Sequence, residues 1–151
     1  CVVSWPGGLP SGHCVTTPLG GVDLAPTLLD LCGLSFENPI DGRSVAQSIT
    51  QEEQPDPVPI FSEIGTSDGI NFRSTEPEEL AARVMVRDGN WKYVMNRTDN
   101  DELYNLDADP LELTNLAVDA SQTDRITHAQ SLIREMVTHT GPGYYAWCPN
   151  A

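Results

Sequence analysis

Cysteines, histidines and a run of carboxylates are the groups in this 151-residue sequence whose types could support chemistry. Cys1, Cys14, Cys32 and Cys148 lack the close spacing of a metal site, and as thiols they allow more than one disulfide pairing. Cys1 and Cys14 flank a turn-rich loop and are candidates to pair, and Cys148 sits in a tail that would gain from a tether. Cys32 falls on a helix of almost wholly apolar character and reads as a buried thiol. His128 and His139 share one side of a helix but stand about three turns apart, too far to hold one metal. Asp99, Asp101, Glu102, Asp107 and Asp109 lack the central glycine and closing glutamate of a calcium loop, so they read as a solvated turn. Asn96-Arg97-Thr98 is a glycosylation sequon, usable in a secretory chain. No nucleophile with its base and no metal cage emerges from these groups.

The elements that would position them are organised around Trp91 to Ala117. Leu80 to Arg87, the tight turn Asp88-Gly89-Asn90 and Trp91 to Asn96 predict an antiparallel hairpin. Leu103, Tyr104, Leu106, Leu113 and Leu116 then act as apolar anchors between polar turns, laying the chain back over a sheet edge without another long element. Trp91 and Tyr93 read as core aromatics under the last helix. That helix spans Asp119 to His139, with Ser121 and Asp124 as a capping pair and a stripe of Ile126, Ala129, Leu132, Ile133, Met136 and Val137. Val58 to Ile64 predicts a strand that Pro59 confines to an edge or a strand start. Further upstream, Cys1 to Trp5 predicts a buried strand entered midway, so the chain reads as a fragment or processed piece. Asp23 to Cys32 predicts a helix capped by Asp23 and stopped by Gly33, apolar on nearly every side, which asks for a large body to pack against.

Composition narrows the partners. With 22 acids against 8 Lys and Arg the net charge is -14, which excludes a nucleic-acid or anionic-membrane surface. No apolar run of transmembrane length and no signal peptide is present in the sequence.

Three pieces, in order through residues 4 to 117, resemble the C-terminal part of a sulfatase of the alkaline-phosphatase-like superfamily. The first is SWPGGLPSGHCVTTPLGGVDLAPTLLDLCGL, with its Trp-Pro-Gly turn and Asp-x-x-Pro-Thr helix. The second is Asp41-Gly42-Arg43-Ser44, the family's Asp-Gly-x-Ser. The third is VMVRDGNWKYVMN followed by DELYNLDADPLELTNLA, matching aromatic-Lys-Tyr, Glu-Leu-Tyr, Asp-Pro and Glu-x-x-Asn-Leu. What the resemblance implies is an α+β fragment: a small antiparallel sheet with a packed C-terminal helix, completing a larger α/β sulfatase fold. Residues 1–50 would end the large α/β domain, 51–140 would form the C-terminal subdomain, and 141–151 an aromatic tail.

In this family a cysteine in a Cys-x-Pro/Ser-x-Arg segment becomes formylglycine, whose hydrate attacks the sulfate ester beside a bound calcium. None of the four cysteines has those neighbours. The resemblance therefore implies calcium and formylglycine supplied by a missing upstream segment or partner chain, and a chain inert alone. It places His13, Glu63, Asn71 and Arg73 near the substrate rim, Arg73 as a fork for an anionic group. A surface Arg73 balancing Glu76, Glu78 and Glu79 explains that residue equally well. The implied substrate is a sulfated small molecule or glycan, in an extracellular, periplasmic or lysosomal setting. A phosphonate or phosphate ester hydrolase of the same superfamily, or a non-catalytic acidic binding module, are the alternatives.

Overall fold

The structure, a computed structural model, describes residues 1–64, 82–97 and 99–140, with the backbone alone at Thr140. The chain divides into two compact units, Cys1–Val58 and Pro59–Ala151.

In the first unit the strand expected at residues 1–5 is not formed. No described strand of this unit offers it a ladder, and Val2 stays 94% exposed. Trp5 O instead accepts from Gly8 N and Leu9 N, both at 3.0 Å, closing the expected turn with Gly7 at φ 81°. A 3-10 turn, Gly21–Asp23, leads into helix α1, Leu24–Leu31, and Gly33 at φ 71° ends it in the left-handed region glycine tolerates. Asp23 does not cap α1, contrary to expectation, because its carboxylate is engaged elsewhere. The residues α1 hides are also unexpected. Thr27 is buried, while Leu24 and Leu28 remain about half exposed. A short helix, α2 (Ala46–Thr50), follows, anchored by buried Val45 and Ala46.

The second unit is a four-stranded antiparallel sheet in the order β1-β2-β3-β4. Its strands are β1 (Ile60–Ile64), β2 (Arg83–Asp88), β3 (Trp91–Asn96) and β4 (Glu102–Asn105). The predicted hairpin forms in register, with Arg83 opposite Asn96 and Asp88 opposite Trp91, and Gly89 turns it at φ 56°. β1 is an edge strand, as Pro59 suggested. β4 is an addition: Leu103 pairs with Tyr93, so the anchors after Asn96 begin by extending the sheet. Four residues are too few for a period of two to declare itself in sequence.

Alternation puts Val84, Val86, Tyr93, Met95 and Leu103 on one face, where Ala129, Ile133 and Val137 of helix α3 (Thr123–Thr140) complete the core. Ile126, Leu132 and Met136 flank it, as the predicted stripe requires. The chain enters α3 through a 3-10 turn, Ala120–Gln122, capped by Asp119, whose Oδ1 accepts from Ser121 N at 2.9 Å. The expected Ser121 and Asp124 pair is thus displaced by a cap one turn earlier. Leu116 packs on the core, but Leu113 is 79% exposed and anchors nothing within the described residues.

Candidate functional site

The motif residues of the first unit converge on one buried carboxylate. Asp23 Oδ2 accepts from Gly20 N and Asp23 Oδ1 from Arg43 N, each at 3.0 Å. Thr27 Oγ1 donates to Asp23 O at 2.7 Å and accepts from Val45 N at 3.0 Å. Ser44 Oγ donates to Asp30 Oδ2 at 2.6 Å, and the Arg43 guanidinium donates to Asp56 O. Gly42 is required by close approach, since a Cβ there would lie 2.0 Å from Val22 O. The Asp-x-x-Pro-Thr and Asp-Gly-x-Ser signatures are therefore a clasp that ties α1 to the start of α2. Asp23, Thr27, Asp30 and Ser44 spend their side chains on it, while Arg43 Nε is buried with no partner among the described residues.

The loop bearing His13 is fixed by a residue that carried no signal in the sequence. Gln54 Oε1 accepts from Thr16 N at 2.7 Å and Thr17 N at 3.2 Å, and Gln54 Nε2 donates to Cys14 O at 2.9 Å. His13 Nε2 lies 3.3 Å from Glu53 O. A lone glutamine in an acidic, proline-broken connector looks like solvated linker until the fold brings the loop to it.

In the second unit the same accounting holds. Lys92 of the aromatic-Lys-Tyr motif meets Glu112 of the Glu-x-x-Asn-Leu motif, Nζ to Oε2 at 2.6 Å, with both side chains about one-third exposed or less. Glu112 itself stands at φ 54°, in the left-handed region. Tyr104 donates to Glu102 Oε2 at 2.8 Å, and burial, then that bond and the nearby carboxylates, push its hydroxyl up to about 12. Asp109 accepts from Thr114 N at 2.8 Å, and such backbone bonds hold its carboxyl below the ordinary range.

An open cleft of about 440 Å³ lies between the start of α3 and the sheet, with Val86, Tyr93 and Leu103 at its floor. At its rim His128 Nε2 stands 3.0 Å from Asp88 Oδ2, and the Arg125 guanidinium covers the Trp91 ring at 3.9 Å. Ser121 shares the cleft, but its described side-chain partner is Gln122, not His128. A nucleophile activated by a base is not among these contacts. Tyr93 is 1% exposed, a core aromatic as its position in the hairpin implied.

Glu63 sits near the end of β1, exposed, with its pKa raised by the desolvation that remains. His13 belongs to the first unit and Glu63 to the second. Asn71, Arg73 and Cys148 lie outside the described residues. Among the described residues no group of three or more His, Cys, Asp or Glu is arranged to hold a metal. No described helix is long and apolar enough to cross a membrane.

The cysteine expectations need correction. Cys1, Cys14 and Cys32 are all free and exposed, so the disulfide expected of Cys1 and Cys14 is not formed. Cys32 is likewise no buried thiol, because the side of α1 that turns inward carries Thr27 and its polar clasp.

A four-stranded antiparallel sheet packed against one long helix matches the α/β sulfatase-like fold. The chain belongs to the N-sulphoglucosamine sulphohydrolase C-terminal family, whose sequence profile matches residues 1–139. It is 36% identical over 119 residues to the choline-sulfatase of Rhizobium meliloti, covering 77% of this chain and 20% of that protein. Among solved structures it is similar to a 2-O GAG sulfatase, with TM-score 0.63 and 28% identity over 78% of this chain and 24% of the other. It is also similar to the phosphonate monoester hydrolase of Agrobacterium radiobacter, with TM-score 0.59 and 28% identity over the same shares. The chain thus spans about a fifth of the length of that curated relative.

Proposed function

We propose that this chain is the C-terminal portion of a sulfatase that hydrolyses sulfate esters, and that it is inert alone. Formylglycine and calcium belong to polypeptide outside these residues, either an upstream segment or a partner chain. Residues 1–50 complete the large α/β domain, 51–140 form the C-terminal subdomain and 141–151 its tail. His13, Glu63, Asn71 and Arg73 are the candidates to rim the pocket and select the sulfated small molecule or glycan. The enzyme works in an extracellular, periplasmic or lysosomal setting.

The observation that carries this reading is α1 and its surroundings. Val22, Leu24, Leu28, Leu34, Phe36 and Ile40 are 44–63% exposed within one small unit. Single exposed apolar side chains are ordinary, but a cluster of this kind marks a face that something covers. Full burial of such a side chain is worth about 1.5–3 kcal/mol, and covering what is still exposed would add roughly half of that for each. A catalytic α/β body fits that need, whereas an independent acidic module has no use for it.

The likeness to the Agrobacterium hydrolase supports a second reading, a phosphonate or phosphate ester hydrolase of the same architecture.

The test is native followed by denatured mass of the protein as its source cell makes it, with hydrolysis assays on aryl sulfate and phosphonate monoester. A formylglycine-bearing polypeptide in the same molecule or complex, active on the sulfate, is the expected outcome. Preference for the phosphonate selects the second reading. A lone, monomeric, cooperatively unfolding chain without hydrolytic activity would establish the acidic module instead.

A further inference from the structure

The acceptor nitrogen of the sequon is already in use. Asn96 closes β3, and its Nδ2 donates to Asn100 O at 2.8 Å and to Glu102 Oε1 at 3.3 Å. Its backbone N–H donates to Asp101 Oδ1 at 3.0 Å, and Asp101 Oδ2 accepts from the Tyr93 hydroxyl. The same knot continues into the Glu-x-x-Asn-Leu motif. Asn115 Nδ2 donates to Asp101 O at 3.0 Å, and Asn115 Oδ1 accepts from Leu103 N at 3.0 Å and Ala117 N at 2.9 Å. Asn96 Oδ1 is itself buried from solvent.

We propose that Asn96 is the pin that closes the β3–β4 turn, and that its glycosylation and the folded turn exclude one another. Transfer from a lipid-linked pyrophosphate carrier would form a bond from the sugar C1 to Nδ2 as the C1–O bond to the carrier breaks, releasing the lipid pyrophosphate and passing one of the two Nδ2 protons to a base of the transferase. The remaining N–H serves one acceptor only, and the sugar must stand where the Asn100 carbonyl or the Glu102 carboxylate now stands. Both donors are spent inside a turn whose carboxylate also orients Tyr93 from the core. Losing the pin therefore loosens β4 and the segment through Ala117 together. The sequon then reads as an accident of a structural asparagine. This holds whatever reaction the complete enzyme performs.

The test is expression of the full chain through a eukaryotic secretory pathway, with intact mass and thermal melting of the folded product. Leu111→Asn with Leu113→Thr creates a control sequon at two positions 74% and 79% exposed, which reports that the glycosylation machinery reached the chain. Expected are a glycan on the control sequon and none at Asn96. Thr98→Ala, which deletes the sequon and keeps the pin, should melt with the wild type. Asn96→Gln, which deletes both, should melt lower by roughly 4–8 °C. A glycan at Asn96 on a chain that melts normally would overturn the proposal, as would equal melting of the two variants. If Asn96→Gln does not accumulate, wild-type occupancy measured against the control sequon decides the matter.

Discussion

At the residue scale, the family signatures are explained by hydrogen bonds rather than by catalysis. Thr27 is the clearest case. Its hydroxyl links Asp23 O to Val45 N inside a region where Thr27 is 5% and Val45 4% exposed. Valine matches its shape but offers no acceptor, leaving the Val45 N–H buried and unpaired. Thr27→Val should therefore lower stability by about 1–3 kcal/mol, read from urea unfolding of the first unit's signal. A neutral effect would mean that water reaches the clasp. Thr27 and Gly42 could be recognised in the sequence as motif members, yet not as partners. Nothing local says that a hydroxyl on a helix and a glycine in a later loop serve the same junction.

At the element scale, burial separates leucines and isoleucines that sequence treats alike. Ile133 is 0% exposed at the centre of the α3 stripe, whereas Leu113 is 79% exposed. Ile133→Ala should cost about 2–5 kcal/mol, since it leaves a cavity between helix and sheet. Leu113→Ala should fall within about 0.5 kcal/mol of the parent chain, as surface changes do. Thermal melting of both variants checks the pair together, and a large loss at Leu113 would show that an outside surface covers it. The hairpin and α3 were legible because each repeats a period long enough to declare itself: alternation across a tight glycine turn, and a stripe over several turns. β4 was hidden by its brevity, and the N-terminal strand was a false expectation because an apolar run forms a strand only where a ladder accepts it.

At the scale of the whole molecule, charge and exposed apolar surface pull in opposite directions. A net charge of -14 repels itself, and the described ion pairs relieve little of it: Lys92 with Glu112 and the half-exposed His128 with Asp88. Screening should help. Raising salt from low to physiological strength, where the screening length falls to about 8 Å, should raise the melting temperature of the isolated chain. A fall instead would mean that attractive pairs outweigh the self-repulsion. The same surface carries the exposed side chains of α1 and its flanking loops, and these support the proposed reading of the chain as part of a larger body.

The sequence by itself determined the hairpin, the C-terminal helix, the edge strand and the family to which the chain belongs. It did so because periodicity, turn chemistry and ordered motifs are local properties. Only the tertiary structure decided what the polar residues do. It showed that Asp23 holds two loops instead of capping a helix, and that Gln54 fixes the His13 loop. It showed the Asn96 side chain bonded to Asn100 and Glu102, and Cys1, Cys14 and Cys32 as free thiols. Those outcomes depend on placing atoms within about 3 Å of partners far along the chain, a condition that hydrogen bonding imposes and that no local pattern encodes.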